Sequence, residues 1–389
     1  MGLFSYHQGI FFAAHSINKG NSAAILTVVE IWRHSLGQPA ETTSQDVRVV
    51  FGAGTRETVA TELRRQGLSK ALVLSTPQQC DAALEIAEHL GPLAAGVFCK
   101  AEMHTPVHVT QEALAHVKET QADCVVAIGG GSTTGLGKAI AYRTDLPQFV
   151  IPTTYAGSEC TPILGQTENG VKTTLSDPSV LPEVIIYDSE LVKTLPVSMT
   201  VTSALNAMAH AAEALYAPNK TVETTAMAID GLTAFVHGLP KVLLDPADLD
   251  AREATQRGAW ACGTVLGRVG MALHHKLCHT LGGSFGLPHA ETHAIVLPHA
   301  IAYNARAAAG DLRPICDLLG GSNAGTALYN FAKEMNAPTA LRDLGLNEED
   351  LDRAADLATT KPYPNPQPVT RVEIRALLHA AWAGDTPLE

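Results

Sequence analysis

Six histidines crowd the stretch LHHKLCHTLGGSFGLPHAETHAIVLPH, positions 273–299: His274, His275, His279, His289, His293 and His299. His275/His279 and His289/His293 stand four apart, so each pair shares one face of a helix, with Gly282 and Gly283 punctuating the run between them. Two such faces can aim imidazoles into one cleft, as metal ligands, as proton donors or as polar packing. A second candidate lies upstream in TSALNAMAHAAEALY (202–216), where Asn206, His210 and Glu213 fall on one side at spacings of four and three.

Cofactor chemistry is written earlier. The apolar run DCVVAI (123–128) empties into Gly129, Gly130, Gly131 and Ser132 at the start of a helix, which offers backbone N–H groups and a positive dipole end to a pyrophosphate. A plain tight turn would read the same, and the GxGxxG spacing is absent. A second loop follows in step: the strand at 148–152 leads to Thr153, Thr154 and Tyr155, at the strand ends where open parallel sheets bind ligands. Lys172 sits in a loop beyond it and is placed to meet a ribose or an anionic substrate. KALVLS (70–75) ends in Ser75, Thr76 and Pro77, without the acidic residue that commonly binds a ribose 2′-hydroxyl, so NADPH is expected beside NADH.

These loops need a scaffold. Short β-branched runs alternate with helical stretches from position 46 to 196, which predicts parallel strands with right-handed crossovers: an α/β dinucleotide-binding domain. After Pro196 the pattern is helical, giving an all-α substrate domain over 197–389 that ends in a scaffold with a Pro-rich loop at 361–368. Gly258, Gly263, Gly267 and Gly270 in one helical stretch predict close packing or breaks. Residues 1–45 read as an extension without assigned role.

With 389 residues, two domains are expected. Apolar residues at 46%, charged residues at 17% and a mean hydropathy of +0.08 fit a soluble protein, and no purely apolar run reaches the length of a bilayer span. A net charge of −12 argues against nucleic acid, so an anionic small molecule must find a local cationic site. Seven cysteines without a CxxC pair read as reduced thiols in a cytoplasmic compartment.

GGGS after a strand, PTT…GSE after the next, DPSVLPEVIIYDSEL, the Asn/His helix and HxxxH…LGG…PH together resemble the iron-type (group III) alcohol dehydrogenases over about 46–310. The resemblance implies a dehydroquinate synthase-like fold, an NADH or NADPH cofactor, a homodimer and hydride chemistry between the domains. Metal-dependent members hold a divalent ion through one aspartate and three histidines, which correspond here to Asn206, His210, His275 and His289. Asparagine brings no charge to that set, although three imidazoles alone can still hold zinc. The surrounding wording, and Gly135 in place of the usual aspartate, resemble the branch that reduces maleylacetate to 3-oxoadipate without metal. On that reading no metal is expected and the partner is a small dicarboxylate. His275 or His210 is then the proton donor or oxyanion partner, His289, Lys276 and Asn206 orient the substrate, and His279 borders the nicotinamide. His274, His293 and His299 are left to packing. A metal-dependent alcohol or polyol dehydrogenase is the alternative.

Overall fold

The computed structural model describes residues 40–44 and 47–388, and its main body begins at Glu41. The extension read over 1–45 lies outside the described residues apart from strand β1 (Ala40–Ser44). The strands that follow are β2 (Val47–Phe51), β3 (Ala71–Leu74), β4 (Ala94–Phe98), β5 (Cys124–Gly129), β6 (Gln148–Pro152), β7 (Ile163–Glu168), β8 (Val171–Ser176) and β9 (Val184–Tyr187). Seven of them form one sheet in the order β1-β2-β9-β6-β5-β3-β4. The pairs β2/β9, β3/β4, β3/β5, β5/β6 and β6/β9 are all parallel. Their central runs are buried on both faces, which is why they are continuously apolar rather than alternating.

Helices α1 (Val59–Arg65), α2 (Cys80–Leu90), α3 (Val107–Thr120) and α4 (Gly131–Thr144) cover this sheet. From Val197 the body is helical: α5 (Val197–Ala214), α6 (Val222–Leu244), α7 (Leu249–Arg268), α8 (Leu273–Phe285), α9 (His289–Ala305), α10 (Ala309–Leu319), α11 (Ala324–Glu334), α12 (Asp350–Thr359) and α13 (Arg371–Ala383). The α/β sheet followed by an all-α region is the architecture the sequence predicts.

Two readings need correction. Lys172 lies on a strand, because β7 and β8 form a two-stranded antiparallel hairpin. QTENGVKTT has no apolar face to advertise it, and β8 is largely exposed. Cys80 and Cys99 form a disulfide, against the expectation of reduced thiols throughout. A separation of 19 residues hides the pair in sequence, but the β3/β4 pairing returns the end of β4 to the start of α2, with Cα atoms 5.4 Å apart. Among the described residues, helix α6 is long and apolar enough to cross a membrane by length and composition. No uninterrupted apolar run announces it, since Asp230, His237 and Lys241 break the sequence, and Leu232, Phe235 and Leu239 of this helix belong to the core with α5 and α7.

The glycines of α7 serve close packing in one unbroken helix. A Cβ on Gly263 would stand 2.7 Å from Gly157 O, and one on Gly267 3.0 Å from Cys160 O, so the helix backbone rests directly on the loop that follows β6. Arg252, fully buried on the same helix, adds a polar peg. Its guanidinium donates to Thr200 Oγ1 at 2.9 Å and Tyr155 Oη at 3.3 Å, tying sheet loop to helical region.

Candidate active site

The loops at the ends of β5 and β6 are built as a pair. Thr153 N–H donates to Gly129 O at 3.1 Å, and Gln79 Nε2 donates to Thr153 Oγ1 at 2.8 Å, which ties the two strand ends to the start of α2. Gly129 has φ 155° and Gly130 lies so close to Thr154 that a Cβ would meet Thr154 Cγ2 at 2.9 Å, whereas a Cβ on Gly131 would meet nothing. The turn is thus closed behind and open in front, beside the half-buried Ser132 at the N-terminus of α4. This fits a dinucleotide phosphate. Tyr155 does not share that opening: its side chain is fully buried, its hydroxyl held by Arg252 and Thr255, so only its backbone faces the loop.

Lys138, on the third turn of α4, anchors the second loop from beneath. Its Nζ donates to the carbonyls of Ser158 (2.6 Å), Thr161 (2.7 Å) and Ile163 (2.9 Å) and to Thr161 Oγ1 (3.1 Å). Burial pushes the ammonium down to about 7, against the pull of Glu159.

Opposite stands the histidine cleft. Helix α5 supplies Asn206, His210 and Glu213, α8 supplies His274, His275 and His279, and α9 supplies His289 and His293. His210 and His275 lie 5.2 Å apart between ring centroids, His275 and His279 6.0 Å, His275 and His293 5.3 Å, and His289 and His293 4.2 Å. The predicted set therefore does assemble. His274 and His293, assigned to packing from sequence, form the rear wall of the same cluster, with His274 Nε2 2.9 Å from His293 Nδ1. His299 is buried apart from it, against the Tyr329 ring.

The residue that organises the cleft is Glu213, which sequence reasoning placed on the right face without giving it a role. Its Oε2 accepts from His275 Nδ1 at 2.7 Å and Ala272 N–H at 2.9 Å, while Oε1 accepts from His274 N–H at 2.8 Å and Tyr216 Oη at 3.1 Å. Burial alone would raise this carboxyl, but the hydrogen bond and charge of His275 bring it down to about 2. The signal was present as the i+3 neighbour of His210; its partner lies 62 residues away.

The other imidazoles are held neutral. Burial, then the neighbouring rings, place His210 and His293 well below the usual histidine range and His274 at about 3. His279 and His289 reach solvent at the cleft while walled by protein; burial and the nearby Lys172 lower them to about 4 and about 3. Among the described residues Asn206 Oδ1, His210 Nδ1 and His275 Nε2 are buried without a hydrogen-bond partner. Lys276 is half-buried at the same cleft.

The family's divalent ion does not fit this donor set. Asn206 contributes a neutral carbonyl oxygen where the metal-dependent members carry a carboxylate. Among the described residues, the trio of histidine, cysteine or carboxylate donors that converges within 4.8 Å is His274, Cys278 and His293, and not His210, His275 and His289.

Comparison with known proteins gives a consistent result. Residues 46–189 match the iron-containing alcohol dehydrogenase family and residues 200–382 the C-terminal region of the Fe-containing alcohol dehydrogenase family. The chain is 60% identical to a maleylacetate reductase of Rhizobium sp. (strain MTP-10005), over 90% of this chain and 99% of that protein. It is 51% identical to a maleylacetate reductase of Burkholderia cepacia, over 87% of this chain and 97% of the relative. The crystal structure of maleylacetate reductase from Agrobacterium tumefaciens superimposes with a TM-score of 0.87 at 58% identity, covering 90% of this chain and all of that one.

Proposed function

The chain belongs to the iron-containing alcohol dehydrogenase family, and from that premise we propose that it is an NAD(P)H-dependent oxidoreductase reducing maleylacetate to 3-oxoadipate in aromatic-compound degradation. The observation that carries the reading is 60% identity over nine tenths of the chain to a maleylacetate reductase. The bound cofactor supplies a hydride to the alkene carbon β to the substrate ketone, and an added proton at the α carbon completes the saturated product.

What the chain must provide is electrostatic stabilisation of the enolate and that proton. His275 is the best-placed donor: Glu213 fixes its Nδ1 and leaves Nε2 unpartnered in the cleft. His210 is a weaker proton source, since burial keeps it neutral, and it serves as a hydrogen-bonding neighbour of the developing oxyanion. Asn206, His289 and Lys276 orient the substrate. Gly129, Gly130, Gly131, Ser132, Thr153 and Thr154 hold the cofactor, with His279 at its reactive end. The reaction runs without a resident metal, a reading supported by Asn206 and by the failure of His210, His275 and His289 to converge. A homodimer in the cytoplasm is the family-derived setting.

Following NADH absorbance with maleylacetate against simple aldehydes and ketones tests the activity. Oxidation with maleylacetate and none with aldehydes is expected; inertness toward maleylacetate overturns the proposal. Elemental analysis of the same sample tests the second part, which stoichiometric iron or zinc together with loss of activity under chelator would refute.

A further inference from the structure

The Pro-rich loop over 361–368 has no part in the roles above, yet its hydrogen bonds lead inward to the proton donor. We propose that Tyr216 is a positioning residue for His275, acting through Glu213, and that Asn304, paired with Asn365 of this loop, holds the Tyr216 hydroxyl in its donating sense. The assignment rests on His275 as proton donor in the maleylacetate reading and deepens it.

The path of contacts starts in the loop. Asn365 and Asn304, the latter near the end of α9, pair their amides reciprocally. Asn304 Nδ2 donates to Asn365 Oδ1 at 2.9 Å, and Asn365 Nδ2 donates to Asn304 Oδ1 at 2.8 Å. The loop backbone locks the pair: Asn365 Nδ2 also donates to Gln367 O at 2.7 Å, and Gln367 N–H donates to Asn304 Oδ1 at 3.3 Å. Asn304 then has one N–H left, which donates to Tyr216 Oη at 3.3 Å. A phenol oxygen that receives this N–H turns its own proton elsewhere, and Glu213 Oε1 accepts it at 3.1 Å. Glu213 Oε2 in turn holds His275 Nδ1 at 2.7 Å. Burial, then the Glu213 charge, raises the Tyr216 hydroxyl well above the usual tyrosine range, so it stays a donor.

The Tyr216 contact differs in origin from the other three on Glu213. Ala272 N–H, His274 N–H and His275 Nδ1 belong to α8 or to the residue before it, so they travel with that helix. The Glu213 side chain leaves α5 through three rotatable bonds, and none of those contacts fixes it from its own side. Tyr216, just past the C-terminus of α5, does. It thereby sets where the carboxylate, and with it the His275 ring, stands relative to Asn206 and His210 on α5.

Saturation points the same way. Asn304 and Glu213 are fully buried and Tyr216 nearly so, and among the described residues the buried side-chain polar atoms of all three have partners. The path ends on His275 Nε2, which has none. Buried amides and carboxylates persist only when paired, and here the pairing delivers one open imidazole nitrogen to the cleft. In sequence the loop offered only its prolines, and Tyr216 and Asn304 stand 88 residues apart.

The test uses the full-length protein with maleylacetate and NADH and compares Tyr216→Phe, Asn304→Leu and the double variant. Tyr216→Phe keeps the ring and removes the hydroxyl. It should lower kcat about tenfold, in line with loss of a hydrogen bond to a charged group, with KM for NADH and for maleylacetate little changed. It should also bring out a solvent isotope effect on kcat that the unaltered enzyme lacks, because proton delivery becomes the slow step. Asn304→Leu keeps the volume and removes the amide, so nothing directs the Tyr216 proton toward Glu213; the same isotope effect with a smaller fall in kcat is expected. The double variant should fall no further than Tyr216→Phe, since both changes break one path. Unchanged kcat in Tyr216→Phe would overturn the assignment, as would a fall without a solvent isotope effect, and additive losses would overturn the link through Asn304. Should Asn304→Leu not fold, Tyr216→Phe decides alone. If the unaltered enzyme fails to oxidise NADH with maleylacetate, the parent reading falls; if it turns over and Tyr216→Phe behaves like it, the positioning path alone falls.

Discussion

Lys138 and the histidines of the cleft are both buried titratable groups, yet one is saturated with partners and the others are not. The Lys138 ammonium has four oxygens at 2.6 to 3.1 Å, and the Arg252 guanidinium likewise ends on hydroxyls and carbonyls. Across the cleft, Asn206 Oδ1, His210 Nδ1, His275 Nε2 and His293 Nε2 are buried with no partner among the described residues. Burying a polar atom unpaired costs about 1–3 kcal/mol, so a fold tolerates several together only where they are kept for something else. The saturated cations brace the loops that follow β5 and β6; on the proposed function, the unsaturated imidazoles are held open for a substrate.

The comparison is sharpened most by acid. A base whose folded pKa lies below its unfolded value of about 6.5 is neutral in the native state and takes up a proton on unfolding. Its contribution is intact above about pH 6.5 and is lost as pH falls toward the folded value. His210, His274, His293 and His299 are all buried and lowered, the second to about 3 and the last to about 4. Four protons give a slope of about 5 kcal/mol per pH unit near pH 5. Glu213 works in a different window, since its lowered carboxyl stabilises the fold above about pH 4.5 and is lost only as pH falls toward 2. Unfolding free energies measured between pH 4.5 and 7 should show this steep fall; a slope of one proton would mean that the cluster shares protons in the native state and is not held neutral.

On the saturated side, Lys138→Met leaves three carbonyls and a hydroxyl without their donor beneath the second cofactor loop. A loss of about 3 kcal/mol in unfolding free energy is expected, with a weaker KM for NADH and little change in kcat at saturating cofactor. A collapse of kcat with unchanged stability would reverse the assignment of Lys138 to scaffold.

How much of this was legible in sequence follows from where each partner lies. The cofactor loops were readable because strand, glycine and helix are contiguous in 123–144, and the histidine pairs because a helix repeats its face every four residues. Fold class came through for the same reason: VVAI and FVI are continuously apolar and the strands are short. The β7/β8 hairpin was not readable, since its few apolar residues, Ile163, Leu164, Val171 and Leu175, do not alternate along either strand. Tyr155 was read as a cofactor contact on position alone, and the buried Arg252 that claims its hydroxyl comes from 97 residues later. His274 and His293 were left to packing because adjacency in a helix points successive side chains about 100° apart; only the approach of α9 to α8 brings the two rings together.

Glu213 is where the two kinds of region meet, because the carboxylate is saturated and the imidazole it holds is not. Each of its oxygens accepts two hydrogen bonds, one of them from backbone, so Glu213→Gln must turn an amide NH₂ toward a donor on one side. If the amide oxygen keeps facing His275 Nδ1, the ring stays oriented and only the charge is lost. The expected result is a fall in kcat of about 100-fold, equivalent to about 2.7 kcal/mol, with KM for NADH unchanged. A residue that merely braced α8 would slow the enzyme without changing which step limits it. One that holds the proton donor does more: in the variant, proton delivery becomes the slow step and a solvent isotope effect on kcat should appear. A fall in kcat with no solvent isotope effect would make Glu213 a structural cap for α8 and return the choice of proton donor to His210.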